Sequence, residues 1–218
     1  MTLPRLYAVL DADVAAAHGW TVPDLARAFL DGGATCLQLR AKSRSLQWTL
    51  DVADAIVAMA GGAAMIVVND RADVARLSGA SGVHVGQNDL SPTHAREIVG
   101  AGSMVGLSTH SRAQVDLALA EPIEYLAVGP VYSTATKDTG YEAVGHELIR
   151  YAAARSQSRP GGPLPVVAIG GITLDRAPDA IASGAASVAV ISDLLAGGNP
   201  SARVKTFVAR LGAVEAAL

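Results

Sequence analysis

The chain has 218 residues, half of them hydrophobic and 17% charged, with a formal net charge of −3. This balance argues against a nucleic-acid or membrane-surface partner, because both need a basic footprint. Small phosphorylated substrates remain possible, since a few local basic groups suffice to bind them. Cys36 is the only cysteine, so an intrachain disulfide is excluded, and its apolar surroundings predict a buried structural thiol. The start of the chain lacks a signal-peptide pattern and no apolar stretch could span a bilayer, which indicates a cytoplasmic location.

Short apolar runs, many of them β-branched, alternate with Ala- and Leu-rich segments of helical period along the whole chain. Eight runs are predicted strands, at residues 6–11, 35–40, 64–70, 82–87, 103–108, 124–130, 165–171 and 187–192. This alternation predicts βαβ units and a parallel sheet, and strands that are apolar throughout predict burial on both faces. The pattern therefore favours a single (β/α)₈ TIM barrel, with residues 1–218 as one catalytic domain. An open doubly wound sheet is less suitable, because the Gly-rich turn expected after its first strand is missing.

One helix boundary and one helix face carry informative residues. Ser91 is a predicted N-cap, and Pro92 follows at the first helical position. The C-terminal segment predicts a closing helix, and its buried face is expected to carry Val204, Phe207, Val208 and Leu211.

The predicted strands end in polar residues, and in a TIM barrel the catalytic groups collect at those carboxyl ends. The second strand ends in QLRAK, where Gln38, Arg40 and Lys42 share parity and are predicted to point to one side. A solvated loop pair is the alternative for the two cations. The third and fourth strands end in VND and HVGQND, which place Asp70 and Asp89 at neighbouring strand ends.

Asp70 and Asp89 are candidate metal ligands. The helix after Asp89 already has Ser91 as its cap, so capping does not explain that carboxylate. Asp70 precedes RADVARL and could equally cap that helix. On consecutive strands the two carboxylates can share one cation, and hard oxygen ligands suit Mg²⁺. The sequence contains no competing His/Cys cluster with zinc spacing.

Two further strand ends predict phosphate binding. Gly170 and Gly171 follow the seventh strand, where TIM barrels commonly bind phosphate, although a glycine pair can also simply make a tight turn. The sixth strand leads into a long loop that carries Thr134, Thr136 and Lys137 and suits closure over a charged ligand. Together the strand ends predict a site for two phosphorylated substrates, one of them a diphosphate that departs as a leaving group.

These motifs resemble those of the thiamine-phosphate synthase (thiamine-phosphate pyrophosphorylase) family. The motifs QLRAK, VND, HVGQND, GLSTHS, GPVYSTATK, AIGGI and VIS follow one another in that family's order. The resemblance implies a Mg²⁺-dependent transferase of thiamine biosynthesis, and a homo-oligomer is a separate expectation that the sequence leaves open. Such an enzyme couples 4-amino-5-hydroxymethyl-2-methylpyrimidine diphosphate to a (carboxy)thiazole phosphate and releases pyrophosphate, through a dissociated pyrimidine carbocation.

The resemblance also implies roles for individual residues. Asp70 and Asp89 would bind Mg²⁺. The pyrimidine diphosphate would contact Gln38, Leu39, Arg40, Ala41, Lys42, Asn69, His84, Ser108 and Lys137. Catalysis would depend on four of these, Arg40, Lys42, Ser108 and Lys137. The thiazole phosphate would contact Thr134, Ala135, Thr136, Gly170, Gly171, Ile191 and Ser192.

Two positions depart from the family pattern and two other functions stay open. Ser133 stands where the family often has Pro, and Leu10 precedes Asp11 where the family often has Thr or Ser. A thiazole tautomerase shares the barrel but has no diphosphate to ionise, and a regulator that binds a thiamine precursor would not need paired carboxylates. Surface or loop positions without a functional role are expected for four histidines, His18, His94, His110 and His146.

Overall fold

The computed structural model describes residues 2–133 and 140–215, with the side chains at 214 and 215 excepted. Its strands are β1 (Leu6–Asp11), β2 (Cys36–Arg40), β3 (Met65–Asn69), β4 (Gly82–Val85), β5 (Met104–Thr109), β6 (Tyr125–Val128), β7 (Val166–Ile169) and β8 (Ser187–Val190). Each strand pairs in parallel with its sequence neighbours, and β1 also pairs with β8, so the sheet closes into a barrel. The predicted (β/α)₈ fold class is confirmed.

Helices connect the strands and surround the barrel. Their bounds are α1 (Ala12–Ala17), α2 (Val22–Asp31), α3 (Leu46–Ala60), α4 (Ala72–Leu77), α5 (Pro92–Val99), α6 (Arg112–Ala118), α7 (Gly145–Gln157), α8 (Ala177–Ala182) and α9 (Pro200–Glu215). A 3₁₀ helix, Ser192–Leu195, follows β8. The sequence did not predict α1 or the 3₁₀ helix. Within the described ranges, no helix combines the length and the apolar character needed to cross a bilayer.

The predicted helix boundaries are largely confirmed. The hydroxyl of Ser91 accepts a hydrogen bond from the backbone N–H of His94, and α5 begins at Pro92. On α9 the side chains of Val204, Phe207 and Leu211 are completely buried, but Val208 is 39% exposed, so its predicted burial is wrong. At 100° per residue, Val208 lies at the edge of the arc that the three buried residues define.

Alternate strand residues pack into two separate cores, in agreement with the two-residue repeat of a strand. The larger core fills the space between the barrel and the helices and includes Leu6, Ala8 and Leu10 of β1. The smaller core fills the barrel interior and consists of Leu3, Tyr7, Val9, Cys36, Val67, Met104, Tyr125, Ala127, Val167 and Ala189. Cys36 is therefore the buried thiol that its surroundings predicted, and burial raises its pKa.

Tyr125 is one of two tyrosines in the interior core, and it depends on a glycine in the neighbouring strand. Its ring is fully buried, and Gly106 of β5 is its register partner. A Cβ atom added to Gly106 would lie 2.1 Å from Cζ and 2.4 Å from Oη of Tyr125. The glycine thus provides the space that the tyrosine ring occupies.

We expect Gly106→Ala to lower the free energy of unfolding by about 1–3 kcal/mol, because the ring cannot retreat without losing its buried contacts. Urea unfolding measures the effect. Gly102→Ala is the matched control, since a Cβ there meets no atom within 4 Å among the described residues. Equal stability of the two variants would contradict this packing argument.

Candidate active site

An open cavity of about 770 Å³, including the solvent at its mouth, lies at the carboxyl ends of the strands. Its size is typical of small-molecule sites. The half formed by β2 to β5 is polar and presents Gln38, Arg40, Asn69, His84 and Ser108. The half formed by β7 and β8 is made of small and apolar residues together with one hydroxyl, namely Ile169, Gly170, Gly171, Ile172, Ala189, Ile191 and Ser192. Nine of the predicted site residues therefore line one cavity.

The other predicted site residues do not line this cavity. The side chain of Leu39 belongs to the outer core and Ala41 packs against that core, so only their backbones can contact a ligand in the cavity. Lys42, Asp70 and Asp89 form a separate charged cluster on the segments that follow β2, β3 and β4. Four predicted residues, Thr134, Ala135, Thr136 and Lys137, lie outside the described residues.

Arg40 is oriented by Asp11, a residue to which the sequence assigned no role. Nη1 of Arg40 donates to Oδ2 of Asp11, which is only 3% exposed. Oδ1 of Asp11 accepts from the backbone N–H groups of Asp13 at 3.1 Å and Val14 at 3.0 Å and so caps α1. Both carboxylate oxygens are therefore engaged, which fixes the guanidinium. The alternative of a solvated loop position is wrong for Arg40, whose side chain is 14% exposed.

One nitrogen of Arg40 has no hydrogen-bond partner. Its Nε is buried, and no described atom accepts its hydrogen. A buried donor left unpaired costs about 1–3 kcal/mol. Arg40 also lines the cavity, so its positively charged guanidinium is a candidate group for binding an anionic ligand.

Lys42, Asp70 and Asp89 form a cluster with one more negative than positive charge. Nζ of Lys42 lies 3.0 Å from Oδ2 of Asp70. Burial raises the pKa of Asp70 most, and the nearby carboxylate of Asp89 raises it further, although Lys42 opposes both effects. Asp89 itself is held by the backbone N–H of Gly86, which donates to its Oδ2 at 2.8 Å. Asp70 thus lies between the lysine, with which it forms an ion pair, and the second carboxylate.

The backbone at Asp70 explains why its side chain joins this cluster. Asp70 has φ 63°, the only positive φ among the described non-glycine residues. The N–H of Arg71 donates to the carbonyl of Asn69 at 2.8 Å across this one-residue turn. Helix α4 has Arg71 as its N-cap and no side-chain cap, so the capping alternative for Asp70 is wrong. Such a conformation costs roughly 1–3 kcal/mol and is typical of functional sites.

The carboxylates of Asp70 and Asp89 can be compared with the ligands that metal ions prefer. Across residues 2–133 and 140–215, no group of three or more His, Cys, Asp or Glu side chains is arranged to hold a metal ion. Asp70 and Asp89 provide carboxylate oxygens only, without the His or Cys ligands that zinc sites contain. They do fit Mg²⁺, which takes one or two carboxylates and completes its shell with water and substrate phosphate oxygens.

A chain of hydrogen bonds runs beneath the polar half of the cavity. Nε2 of Gln38 donates to the hydroxyl of Tyr7 at 2.9 Å, and the hydroxyls of Tyr7 and Tyr125 are 2.8 Å apart. The Tyr125 hydroxyl lies 3.0 Å from Nδ1 of His84, whose Nε2 lies 2.8 Å from Oγ of Ser108. The sequence did not identify Tyr7 and Tyr125. A tyrosine at an inward position of an otherwise apolar strand was the available signal, since a buried hydroxyl needs a partner.

The glycine pair after β7 makes the predicted turn and also lines the cavity, while its phosphate contact stays a prediction. Gly170 (φ 97°) and Gly171 (φ 64°) adopt left-handed conformations, as the turn interpretation requires. A Cβ on Gly170 would lie 2.5 Å from Pro130, and one on Gly171 would lie 2.8 Å from Tyr132. The glycines therefore let the segment after β6 approach closely, and they also line the cavity.

Two of the four histidines differ from prediction. His110 lines the cavity, hydrogen-bonds the carbonyl of Gly129 through Nδ1 and stacks on Tyr141 with ring centroids 3.9 Å apart. His146 is half-buried between the hydroxyls of Tyr132 and Ser183, each 2.7 Å from a ring nitrogen. The remaining two are exposed, as predicted, and these are His18 and His94.

The closed barrel, with a polar cavity at the carboxyl ends of its strands, defines the class of (β/α)₈ enzymes. The family model described as thiamine monophosphate synthase matches residues 6–194. Thiamine-phosphate synthases from Koribacter versatilis and Methanoculleus marisnigri are each 40% identical, over 95% and 97% of this chain and 96% and 97% of theirs. A solved thiamine phosphate pyrophosphorylase from Pyrococcus furiosus superposes with a TM-score of 0.84 at 26% identity, over 96% of both chains. The chain belongs to the thiamine monophosphate synthase family, and it is an enzyme, a transferase.

The raised pKa of Asp70 predicts a cost to stability at neutral pH. Between the ordinary value of 3.8 and the raised value, the folded protein binds more protons than the unfolded protein. Stability therefore falls as pH rises through that window, and above it the loss is complete. We expect Asp70→Asn to raise Tm at neutral pH by about 2–4 °C, equivalent to about 1 kcal/mol. Asn also tolerates the positive φ at this position.

Thermal unfolding at several pH values measures this gain, which should shrink as the pH approaches 3.8. Asp73→Asn is the matched control, because a hydrogen bond from Arg71 lowers the pKa of Asp73. That substitution removes a favourable charge and should leave Tm unchanged or lower. A fall in Tm for Asp70→Asn at neutral pH would show that the lysine outweighs the carboxylate repulsion.

Proposed function

We propose that the protein couples 4-amino-5-hydroxymethyl-2-methylpyrimidine diphosphate to a (carboxy)thiazole phosphate, forming thiamine phosphate and pyrophosphate, with release of CO₂ when the thiazole carries the carboxylate. Family membership supports the reaction class. The observation that carries the proposal is the combination of the Arg40 guanidinium, which lines the cavity, and the carboxylates of Asp70 and Asp89 at adjacent strand ends. The guanidinium can bind an anion, and the excess negative charge of the carboxylates can bind a metal ion. Such a pair of neighbouring sites suits a metal-bound diphosphate better than a lone phosphate.

The diphosphate would lie over the ends of β2 to β5. Arg40, Asn69 and Ser108 line that half of the cavity and can donate hydrogen bonds to its oxygens. Lys42 would contribute a point charge from the neighbouring cluster. Lys137, whose role stays a prediction, would complete the set. These groups bind the leaving diphosphate increasingly strongly as its negative charge develops.

Asp70 and Asp89 would hold Mg²⁺, because the two neighbouring carboxylates and the single lysine paired with Asp70 together carry excess negative charge. A bound Mg²⁺ would neutralise diphosphate oxygens and so make the diphosphate a better leaving group. Asn69 immediately precedes Asp70, so an amide donor to the diphosphate and a metal ligand come from the same turn.

In the proposed reaction, the bond between the pyrimidine methylene carbon and the diphosphate oxygen breaks, and its electron pair leaves with the diphosphate. The methylene carbon becomes cationic, and the lone pair of the thiazole nitrogen then forms the new C–N bond. Gln38 and His84 would lie near the pyrimidine ring. The apolar wall of Val9, Ile169 and Ala189 would exclude water, which otherwise captures the cation.

The thiazole phosphate would occupy the half of the cavity formed by β7 and β8. Gly170, Gly171, Ile191 and Ser192 line that half, where absent or small side chains leave room for a phosphate. Three further predicted contacts belong to the loop after β6 and lie outside the described residues, namely Thr134, Ala135 and Thr136.

An assay of the purified protein with both substrates and Mg²⁺ tests the proposal. We expect stoichiometric release of pyrophosphate and formation of thiamine phosphate, measured by coupled phosphate detection and by mass spectrometry. Isomerisation of the thiazole alone would establish a tautomerase instead. Binding of both ligands by calorimetry without turnover would establish a regulator.

We expect Asp89→Ala to reduce kcat/KM by about 10²-fold or more at limiting Mg²⁺, because several kcal/mol of charge stabilisation is lost. Raising the Mg²⁺ concentration should recover part of the activity. Asp73→Ala, which removes a carboxylate paired with Arg71 outside the cluster, is the control. Wild-type activity of Asp89→Ala at limiting Mg²⁺ would eliminate its role as a ligand.

A further inference from the structure

We propose that Tyr7 and Tyr125 are positioning residues that fix the tautomer of His84 and so turn the hydroxyl of Ser108 into a hydrogen-bond donor toward the cavity. The inference deepens the proposed function, and it rests on that function only for the identity of the ligand. Gln38, His84 and Ser108 line the cavity, whereas the two tyrosines lie beneath it. The tyrosines would therefore act on a ligand only through the residues that touch it.

Both tyrosine hydroxyls keep their protons. Tyr7 is 2% exposed and Tyr125 is 0% exposed. Burial raises the pKa of each phenol well above its ordinary value of 10.0. Each hydroxyl therefore has one proton to donate and lone pairs with which to accept.

The direction of the hydrogen-bond chain follows from one donor. Nε2 of Gln38 donates to the Tyr7 hydroxyl, which therefore directs its own proton to Tyr125, 2.8 Å away. The Tyr125 hydroxyl in turn directs its proton to Nδ1 of His84. An imidazole whose Nδ1 accepts is neutral and carries its proton on Nε2.

The last link of the chain sets the chemistry of Ser108. Nε2–H of His84 donates to Oγ of Ser108 at 2.8 Å. Because Oγ accepts this bond, the hydroxyl proton of Ser108 remains available to a ligand in the cavity. An anion near Arg40 thus meets a second donor, as diphosphate binding requires.

The orientation of the Gln38 carboxamide decides in which of two directions the hydrogen bonds are donated along the chain from Gln38 to Ser108. If its Oε1 accepted from Tyr7, every bond of the chain would reverse, and Ser108 would present only lone pairs to the cavity. Those lone pairs would repel an anion. When Nε2 of Gln38 donates to Tyr7, the hydroxyl of Ser108 is a donor toward the cavity, and Oε1 of Gln38 remains as an acceptor. An acceptor suits the amino group of an aminopyrimidine, so one chain matches both ends of the proposed substrate.

Nitrogen-15 NMR of the histidine rings in the ligand-free protein tests the direction of the chain. We expect His84 to be a neutral imidazole at neutral pH, with its proton on Nε2. A proton on Nδ1, or an imidazolium, would overturn the inference. This measurement requires no turnover, so its result is independent of the proposed reaction.

Matched removal of single hydroxyls tests the roles of the tyrosines. In Tyr125→Phe we expect both His84 tautomers to be populated and the affinity for inorganic pyrophosphate with Mg²⁺ to fall about tenfold, because the donor at Ser108 is no longer enforced. In Tyr7→Phe, the Tyr125 hydroxyl no longer accepts the bond that directs its proton to His84, so we expect both His84 tautomers to be populated in that variant as well. The KM for the pyrimidine substrate should rise in that variant, because Gln38 loses the bond that orients it.

Tyr151→Phe is the control, because its hydroxyl donates to Asp116 on the surface at 2.8 Å, away from the cavity. An unchanged tautomer and unchanged pyrophosphate affinity in Tyr125→Phe would overturn the inference. If Tyr125→Phe does not fold, the His84 tautomer in Ser108→Ala decides. A proton that stays on Nε2 of His84 supports donation from Tyr125 to His84, and a proton on Nδ1 refutes it. A protein with the expected tautomer but no thiamine phosphate product would refute the proposed function and keep this inference.

Discussion

The interior of an eight-stranded barrel is only wide enough for the side chains that fill it, and every strand must place each second residue there. This constraint governs the site as well as the fold. Low in the barrel the inward residues are apolar, whereas at the carboxyl ends they are polar and need partners away from water. Gly106 gives Tyr125 its space, and Tyr125 reaches both Tyr7 and His84. The polar floor of the cavity is thus built by the same packing that closes the barrel.

At the cavity mouth, each cation among the described residues has a carboxylate partner, and one further carboxylate has no cation partner. Arg40 pairs with Asp11 and Lys42 pairs with Asp70, whereas Asp89 has no ion-pair partner among the described residues and interacts with Asp70 and with the backbone N–H of Gly86. The pairs hold the cations in position before a ligand arrives. The excess carboxylate and the left-handed backbone at Asp70 reduce stability, and natural proteins commonly retain such costs at functional sites.

The strands, the parallel barrel and most polar strand ends could be predicted, because apolar runs, strand parity and strand ends are local properties of the sequence. The partners of those polar residues could not. Asp11 and Arg40 are 29 positions apart, and Tyr7 and Tyr125 are 118 apart, so their contacts depend on register and closure. His110 lies in a loop, which agrees with the predicted surface or loop position, but only the fold brings that loop against the cavity.

The glycine pair after β7 shows why one residue type can support two interpretations at once. The absent Cβ atoms let Pro130 and Tyr132 approach the backbone, and the same absence leaves the cavity open at that corner. One half of the cavity is therefore lined by charged and hydrogen-bonding side chains, and the other half mainly by small and apolar residues. This division suits a reaction in which one ligand must lose an anionic group while the other is held in place to capture what remains.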